Sequence, residues 1–228
     1  MFRTMIKWLK KEFIEGYSKW EHLFMFSMVM LQIIVFIINP DSWVNIVAGM
    51  AGVISVILFA KGKISAYYIG FIQTFTYLYL SWINMFYGEV IENLFYFVTM
   101  VWGIFVWGKN MNKDTQEVKS KKFNIKQWIF CGIASLVGTI GMGAWLASIG
   151  SAQPYTDAAT NIFAIIAQLL MVWCYREQWF WWLIIDLLCI KLWFVAGNWS
   201  MVAMYIAWTV NCLYGWYNWT KLEKGKEV

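Results

Sequence analysis

The sequence predicts an all-α integral membrane protein with eight transmembrane helices. The helices form two parallel three-helix repeats joined by a linker helix (a 3+1+3 layout), with one extra N-terminal helix. Three observations predict this class: an apolar composition, eight long apolar runs and an internal repeat. Of 228 residues, 61% are hydrophobic, 20% aromatic and only 14% charged. Soluble domains carry roughly 25% charged residues, which disfavours a soluble fold.

Eight apolar runs are each about as long as a membrane-spanning helix, which needs about 20 residues. They cover residues 23–39, 43–60, 64–82, 87–108, 127–149, 157–174, 178–196 and 199–220. Strands of a membrane barrel alternate between lipid-facing and lumen-facing side chains, and these runs show no such alternation. The runs therefore predict helices.

An internal repeat aligns residues 45–109 with residues 157–221 at a constant shift of 112 positions, without a gap. The clearest match sets WGIFVW at 102–107 on YGWYNW at 214–219. Each copy holds three runs, and the run at 127–149 restores the orientation that an odd number of spans would reverse. Parallel repeats place a pore or solute site on the axis between them.

The positions of lysine and arginine predict the orientation in the membrane. Outside the apolar runs, lysine and arginine occur at 1–20, 61–63, 109–126, 176 and 221–226, and the alternate loops have none. The positive-inside rule then places both termini in the cytoplasm, with the chain in the inner membrane. The net charge of +5 is accordingly a topology signal, and no nucleic-acid partner is expected.

These patterns divide the chain into six segments. They are a cytoplasmic amphipathic segment (1–20), an extra N-terminal transmembrane helix (21–40), repeat 1 (43–109), a cytoplasmic loop with the linker transmembrane helix (110–150), repeat 2 (157–221) and a cytoplasmic tail (222–228). In the first segment, Phe2, Ile6, Leu9 and Phe13 are interleaved with lysines. This pattern predicts a helix that lies on the inner membrane surface.

The sequence contains no motif typical of a catalytic or metal site, so we expect no enzyme activity, catalytic residue, metal or cofactor. It has no Gly-x-Ser-x-Gly, His-Glu-x-x-His or Walker sequence. Cys131, Cys174, Cys189 and Cys212 are far apart in apolar runs, which predicts that they serve as small apolar side chains. The single histidine, His22, begins the first run without partners.

Polar and deep aromatic residues inside the runs are the candidate functional residues, because polar groups are costly to expose to lipid. The candidates are Gln73, Asn93 and Tyr96 in the first repeat and Trp182, Asp186, Trp208, Asn211 and Tyr214 in the second. Tyr96 and Trp208 coincide under the shift. Asp186 lies near the middle of its run and is either a ligand contact or one member of a structural pair.

Three short motifs carry a family resemblance. They are Glu177-x-Trp179-x-x-Trp182, the Gly62-Lys63 step and Tyr214-Gly215-x-x-x-Trp219. Their order resembles the PnuC-type vitamin-precursor transporters, which share a layout but not a sequence with the SWEET sugar transporters. The resemblance covers residues 40–225. It implies facilitated diffusion of nicotinamide riboside, trapping of the product by a cytoplasmic riboside kinase, and a homotrimer.

The candidate residues suit the substrate that this resemblance implies. Nicotinamide riboside carries a pyridinium cation, a carboxamide and ribose hydroxyls. The face of Trp182 or Trp208 is suited to a cationic ring, an interaction worth about 2 kcal/mol when desolvated. The amides of Asn93, Asn211 and Gln73 offer paired donors and acceptors for the carboxamide and the diol. Asp186 is suited to accept from ribose hydroxyls or to balance the cation.

Other interpretations of the sequence stay open at this point. The same scaffold also suits thiamine or riboflavin, because aromatic stacking serves all three vitamins. A sugar carrier would not need so many deep tryptophans. An integral-membrane enzyme requires clustered carboxylates or histidines, and Glu89 and Glu92 lie near the outer end of one run without histidine or cysteine partners. A purely structural protein would leave the polar positions at membrane depth unexplained. Proton coupling through Asp186 is an alternative to uncoupled diffusion.

Overall fold

A computed structural model describes residues 10, 12–38, 43–85, 87–113, 115–151, 153–195, 197 and 199–225. Eight long α-helices dominate this part of the chain. They are α1 (Lys19–Ile38), α2 (Trp43–Lys61), α3 (Ser65–Ile83), α4 (Tyr87–Asn110), α5 (Ile125–Ser148), α6 (Pro154–Val172), α7 (Gln178–Val195) and α8 (Trp199–Lys224). Each helix corresponds to one apolar run, so the predicted all-helical class is confirmed.

Six of these helices are long and apolar enough to cross a membrane: α1, α2, α4, α5, α6 and α7. The other two, α3 and α8, contain many of the polar residues predicted to face a site. Gln73 and Thr74 lie in α3, and Asn211 lies in α8. Polar residues lower the mean hydropathy of a helix whatever direction they face. The count of eight membrane spans therefore stays a prediction.

Helices α1 and α5 begin before their apolar runs, and a capping box outside the run sets each of these two starts. At α1 the backbone N–H of Glu21 donates to Ser18 Oγ (3.2 Å), and the N–H of Ser18 donates to Glu21 Oε2 (2.6 Å). Asn124 and Gln127 form the same reciprocal pair at α5. A capping box satisfies backbone donors that the first turn leaves unpaired. Helix α1 therefore begins at Lys19, four residues before the apolar run.

The chain divides into two compact units, Met1–Val118 (unit 1) and Lys119–Val228 (unit 2). In unit 1, α1 packs on α2, α2 on α3 and α3 on α4. In unit 2, α5 packs on α6, α6 on α7 and α7 on α8. Each predicted three-helix repeat lies inside one unit, the first as α2–α4 and the second as α6–α8.

The turn after the first helix of each repeat has the same conformation. Gly62 and Cys174 have positive φ angles of 79° and 66°. The N–H of Lys63 donates to the carbonyl of Leu58 at 3.0 Å. Likewise, the N–H of Tyr175 donates to the carbonyl of Leu170 at 2.9 Å. This 6→1 bond is the Schellman closure of a helix C-terminus. The predicted shift of 112 residues relates the two turns position by position.

The N-terminal segment is described only in part. The predicted amphipathic pattern depends on Phe2, Ile6 and Leu9, which lie outside the described residues. Glu12 is described and buried, and its carboxylate accepts a hydrogen bond from Ser65 Oγ at the start of α3. The hydroxyl of Tyr17 donates to the carbonyl of Glu12 at 2.8 Å. These contacts attach the described part of the segment to unit 1.

Candidate functional site

Asp186 is a buried carboxylate with a partner on the neighbouring helix. It lies near the middle of α7 and is 4% exposed. Cys212 of α8 is 5% exposed, and its thiol donates to Asp186 Oδ2 at a sulfur–oxygen distance of 3.2 Å. Burying a charged group is costly unless hydrogen bonds compensate it. The Cys212 thiol compensates part of this cost and engages Oδ2, one of the two carboxylate oxygens of Asp186.

The prediction that the cysteines are only small apolar side chains is wrong for Cys212, whose thiol bonds Asp186. Cys189 belongs to a buried hydrophobic cluster against which Trp193 and Tyr205 pack. A thiol is a weak donor, and the packing of α7 on α8 brings the Asp186 carboxylate within reach of Cys212. Sequence reasoning missed this pair because the contact depends on which faces of the two helices meet.

The spacing of residues along α7 and α8 nevertheless contains a signal for the contact between Asp186 and Cys212. On α7 the positions are 186, 189 and 193, and on α8 they are 205, 208 and 212. Both sets follow the i, i+3, i+7 pattern that places side chains on one helix face. We call them the α7 stripe (Asp186, Cys189, Trp193) and the α8 stripe (Tyr205, Trp208, Cys212). The Asp186–Cys212 hydrogen bond joins the two stripes, and Tyr205 and Trp193 pack against the same buried cluster that contains Cys189.

An indole lies one helical turn from each member of this polar pair: Trp182 before Asp186 and Trp208 before Cys212. Trp182 is half-buried and packs against two buried hydrophobic clusters of unit 2, one with Ala167 and the other with Ala164. Trp208 meets Tyr205 edge to face at a centroid distance of 5.1 Å. The indole Nε1 of Trp208 is buried and has no acceptor within the described chain. Unit 2 thus combines indole rings with a carboxylate.

The last two candidates of unit 2 also lie on α8. Asn211 is 2% exposed and Tyr214 is half-buried. Asn211 is adjacent to Cys212 in sequence, and it supplies an amide close to the level of the Asp186 contact along α8. The structure therefore places all five unit 2 candidates on the packed pair α7 and α8.

The three unit 1 candidates lie on α3 and α4, and each contacts other residues of unit 1. The amide of Gln73 lies over Gly52 of α2, where an added Cβ would come within 2.9 Å of Nε2. The amide of Asn93 donates to the carbonyl of Glu89 at 2.8 Å within α4. The hydroxyl of Tyr96 donates to Glu92 Oε1 at 2.9 Å, so Glu92 is a polar partner that the predicted site did not include.

The shift of 112 residues relates contacts as well as residue types. In unit 1, Thr74 Oγ1 donates to the sulfur of Met100 at 3.5 Å, with both residues buried. These positions correspond to Asp186 and Cys212 in unit 2. The same helix pair in each repeat is thus joined at the same level. Unit 1 has a neutral pair there, whereas unit 2 has a carboxylate.

A buried ion cluster lies at the basic turn of unit 1. Lys61 Nζ is 2.7 Å from Glu21 Oε1 and 3.9 Å from Glu117 Oε1, and Lys63 Nζ is 4.0 Å from that Glu117 oxygen. Lys63 also donates to the carbonyl of Thr115 at 3.1 Å. Burial raises the pKa of Glu117 above its ordinary value, and the two lysines partly oppose that change.

The corresponding turn of unit 2 has a more open ion cluster. Arg176 Nε is 3.1 Å from Glu177 Oε1, and its Nη1 is 3.6 Å from Glu223 Oε2. Lys122 approaches Glu223 at 3.7 Å. The guanidinium also lies 5.6 Å from the ring centroid of Trp216. These contacts hold the last turn of α8, which explains why the helix continues to Lys224 beyond its apolar run.

The α7 and α8 stripes, with the neighbouring Asn211, offer groups suited to binding an organic molecule. Among the described residues, no three histidine, cysteine, aspartate or glutamate side chains are grouped to hold a metal ion. The indoles and the carboxylate of the stripes, with the amide of Asn211, are groups that suit an organic cation carrying polar substituents.

Comparison with known proteins identifies the family. A family model described as "Nicotinamide mononucleotide transporter" matches residues 42–221. The chain belongs to this transporter family. The resemblance inferred from the three motifs is therefore confirmed.

Two relatives show how far the similarity to members of this family extends. The nicotinamide riboside transporter PnuC of Neisseria mucosa is 38% identical over 230 residues, covering 96% of this chain and 88% of that protein. The protein of the same name from Haemophilus influenzae is 37% identical over 224 residues, covering 97% and 98%.

A solved structure is also similar. The crystal structure of the vitamin B3 transporter PnuC superposes with a TM-score of 0.80 at 37% identity, covering 96% of this chain and 98% of that one. These proteins are named as transporters and not as enzymes. The chain is therefore an integral membrane protein of a transporter family, as the sequence predicted.

Proposed function

We propose that this protein imports nicotinamide riboside across the cell membrane. The similarity over nearly the whole chain to proteins named as nicotinamide riboside transporters carries the proposal. The site chemistry agrees with this substrate. In unit 2, Asp186 is buried on α7 one turn after Trp182, and Trp208 lies on the neighbouring α8. The riboside presents a cationic aromatic ring, a carboxamide and hydroxyls.

The proposal gives each unit 2 candidate a role. Trp182 and Trp208 stack on the pyridinium ring, an interaction worth about 2 kcal/mol in a desolvated site. Asp186 balances the positive charge and accepts from ribose hydroxyls. Asn211 supplies an amide for the carboxamide, and Tyr214 supplies a hydroxyl on the same helix. Hydrogen bonds that involve a charged group each contribute about 1.5–3 kcal/mol, so a few contacts give an affinity that still permits release.

The unit 1 candidates have a smaller part in the proposal. Gln73 is the candidate amide of α3. Asn93 and Tyr96 already bond within α4, so their recruitment to a substrate requires breaking those bonds. We assign these three residues to polar contacts that the riboside makes during passage.

The charge of the stripes favours the riboside over its mononucleotide. The family model is described by the mononucleotide, whereas both relatives are named for the riboside. A phosphate group adds negative charge and is usually met by arginine or lysine. The α7 and α8 stripes contain one acid and no base, and Lys191 of α7 is exposed. This arrangement supports a cationic substrate.

The mode of transport that we propose is facilitated diffusion without a coupled ion gradient. A cytoplasmic riboside kinase then phosphorylates the product, and the charged nucleotide does not return. The proposed arrangement is a homotrimer of eight-span subunits with a parallel 3+1+3 layout and both termini in the cytoplasm. The turn at Lys61–Lys63, the loop at 109–126 and the turn at Arg176 are basic, and each is separated from the next by a pair of runs without lysine or arginine. This alternation supports the orientation.

Calorimetric titration of the detergent-purified protein tests the substrate. Nicotinamide riboside is expected to bind, while its mononucleotide, thiamine and riboflavin are not. Trp182→Ala should abolish binding without loss of folding. Trp145→Ala, at an exposed position on α5, is the matched control and should bind normally. Binding of thiamine or riboflavin would replace the substrate, and binding of none of the four would contradict the proposed function.

Uptake into liposomes tests the mode of transport. Internal riboside is expected to reach the external concentration and no more, with or without an imposed proton or sodium gradient. Accumulation above the external concentration that depends on either gradient would contradict facilitated diffusion. If protons drive it, Asp186→Asn should remove that dependence.

A further inference from the structure

The carboxylate that the proposed site relies on is held by a thiol. Cys212 Sγ lies 3.2 Å from Asp186 Oδ2, and both residues are at least 95% buried. We infer that Cys212 is a positioning residue for substrate recognition, because its thiol fixes the orientation in which Asp186 meets the cationic nucleoside. The inference rests on the proposed function, since it acts through Asp186.

A thiol has the chemical properties that this task requires. Lysine or arginine at position 212 would form an ion pair and cancel the negative charge that an organic cation needs. A thiol is a weak donor that restrains the carboxylate and leaves its charge in place. It engages Oδ2 from the neighbouring helix, so the orientation of the carboxylate depends on the α7–α8 packing.

The equivalent pair in unit 1 supports this assignment. Met100 occupies the position that corresponds to Cys212, and it has no hydrogen to donate. Thr74 occupies the position of Asp186 and is itself the donor. A hydrogen-bond donor on the third helix of the repeat, Cys212, therefore occurs in unit 2, which has the carboxylate. In unit 1 the same two helices are joined at this level without a donor on the third helix.

The test compares Cys212→Ala and Cys212→Ser in riboside binding and in liposome uptake. Loss of the thiol is expected to raise Kd and KM about tenfold while the maximal rate stays within about twofold, because one hydrogen bond to a charged group is removed. Serine keeps a donor and should restore affinity to within about threefold of the wild type. Cys131→Ala removes another buried thiol of unit 2 and should leave Kd unchanged.

A double substitution separates positioning from general stability. In an Asp186→Asn background, Cys212→Ala should cause little further loss of affinity, since residues that act as one unit are not additive. Thermal unfolding is followed for every variant. Cys212→Val fills more of the volume without a donor, and it replaces the alanine variant if that variant fails to fold.

Three outcomes would overturn the inference. If Cys212→Ala binds like the wild type while Asp186→Asn loses binding, Cys212 does not position the carboxylate and the proposed function stands. Additive losses in the double variant would show that the two residues act separately. If the wild-type protein does not bind the riboside, the proposed function fails and the inference fails with it.

Discussion

Thr74 of α3 donates to the sulfur of Met100, and at the corresponding place in unit 2 Asp186 of α7 accepts from Cys212. The two pairs join the same two helices of each repeat at the same level, but only the second contains an ionisable acid. The comparison shows that a repeat can keep its helix packing while its buried polar pair changes in charge. In this protein the charge is placed in unit 2.

A second pair of contacts shows what the units have in common. A Cβ at Gly103 would collide with the ring of Tyr67, and a Cβ at Gly215 would lie 2.5 Å from the ring of Trp179. The shift of 112 residues relates these contacts too. In each unit the ring on the second helix lies on a glycine of the third. This aromatic-on-glycine packing belongs to the scaffold, whereas the difference at Asp186 belongs to the site.

The largest expected effect separates the two polar pairs by function. Asp186→Ala should weaken riboside binding by tenfold or more, because a hydrogen bond to a charged group contributes about 1.5–3 kcal/mol. Thr74→Ala, at the equivalent place in unit 1, should change Kd by less than about threefold, since a neutral hydrogen bond contributes about 0.5–1.5 kcal/mol and here stabilises packing. Calorimetry of both variants measures the difference. Equal losses would erase the functional distinction between the units.

The next effect concerns the shared scaffold. Gly103→Ala and Gly215→Ala should each lower stability by about 1–3 kcal/mol, because the added methyl group meets an aromatic ring in a filled space. Gly108→Ala is the matched control on α4: nothing in the described chain lies within 4 Å of its Cβ position. Helix propensity predicts an unchanged or slightly raised stability for this control. Thermal unfolding in detergent tests all three variants. If either Gly103→Ala or Gly215→Ala unfolds at the wild-type temperature, the two units do not share this packing requirement.

A smaller effect distinguishes the two ion clusters. Glu21→Gln keeps the capping box with Ser18 but removes the charge that lies 2.7 Å from the buried Lys61. We expect a loss of about 1 kcal/mol or more, because a buried ammonium loses its closest partner. Glu223→Gln in unit 2 should cost less, within the 0–1 kcal/mol typical of partly exposed pairs. The midpoints of thermal unfolding compare the two, and a larger loss at Glu223 would contradict the difference in burial.

The smallest expected effect is a pH dependence of stability that arises from Glu117 in unit 1. Burial raises the pKa of Glu117 in the folded state, against the opposing Lys61 and Lys63 and with Glu21 adding to the rise. A raised folded-state pKa of an acid means that the folded protein binds more protons than the unfolded chain. Its contribution is therefore complete below the ordinary value of 4.5 and is lost as pH rises through the folded-state value.

The measurement for this prediction is the melting temperature of the wild type minus that of Glu117→Gln. This difference should fall as pH rises from 4.5 toward neutrality, because the variant has no carboxyl to titrate at this position. Glu223→Gln, whose carboxylate belongs to unit 2, provides the comparison. A difference that stays constant or rises with pH would show that the ion pairs of Glu117 outweigh its burial.

Much of the fold was predictable because it depends on local sequence. Long apolar runs specify helices, and all eight correspond to helices of the structure. The ends were less predictable because polar contacts outside the runs set them. Ser18 and Glu21 start α1 early, and the ion pairs of Glu223 extend α8. Capping boxes are visible in the sequence, but partners such as Arg176 and Glu223 are brought together by folding.

The candidate site was predictable in part. A carboxylate in an apolar run identifies Asp186 without any structure, since such a group is rare and costly at that depth. Its partner Cys212 was not predicted, because a cysteine in an apolar run is usually a small apolar side chain. Glu92 was likewise not included, although it accepts from Tyr96 one turn away. The spacing shows which residues share a face of α7 and which share a face of α8. Only the observed helix contacts show that these two faces meet.

The sequence by itself determined the helical class, the internal repeat and the position of a carboxylate, Asp186, near the middle of a repeat run of unit 2. These properties follow from hydrophobic length, from the constant shift and from the cost of a charge in an apolar segment, and each can be read along the chain. The tertiary structure decided that Asp186 pairs with Cys212 and that an aromatic ring packs on a glycine in each unit. It also decided that one basic turn is buried more deeply than the other. Those outcomes depend on distances of a few ångströms between residues 26 to 40 positions apart, such as Asp186 and Cys212 or Glu21 and Lys61. Helix packing sets such distances, and no local pattern records them.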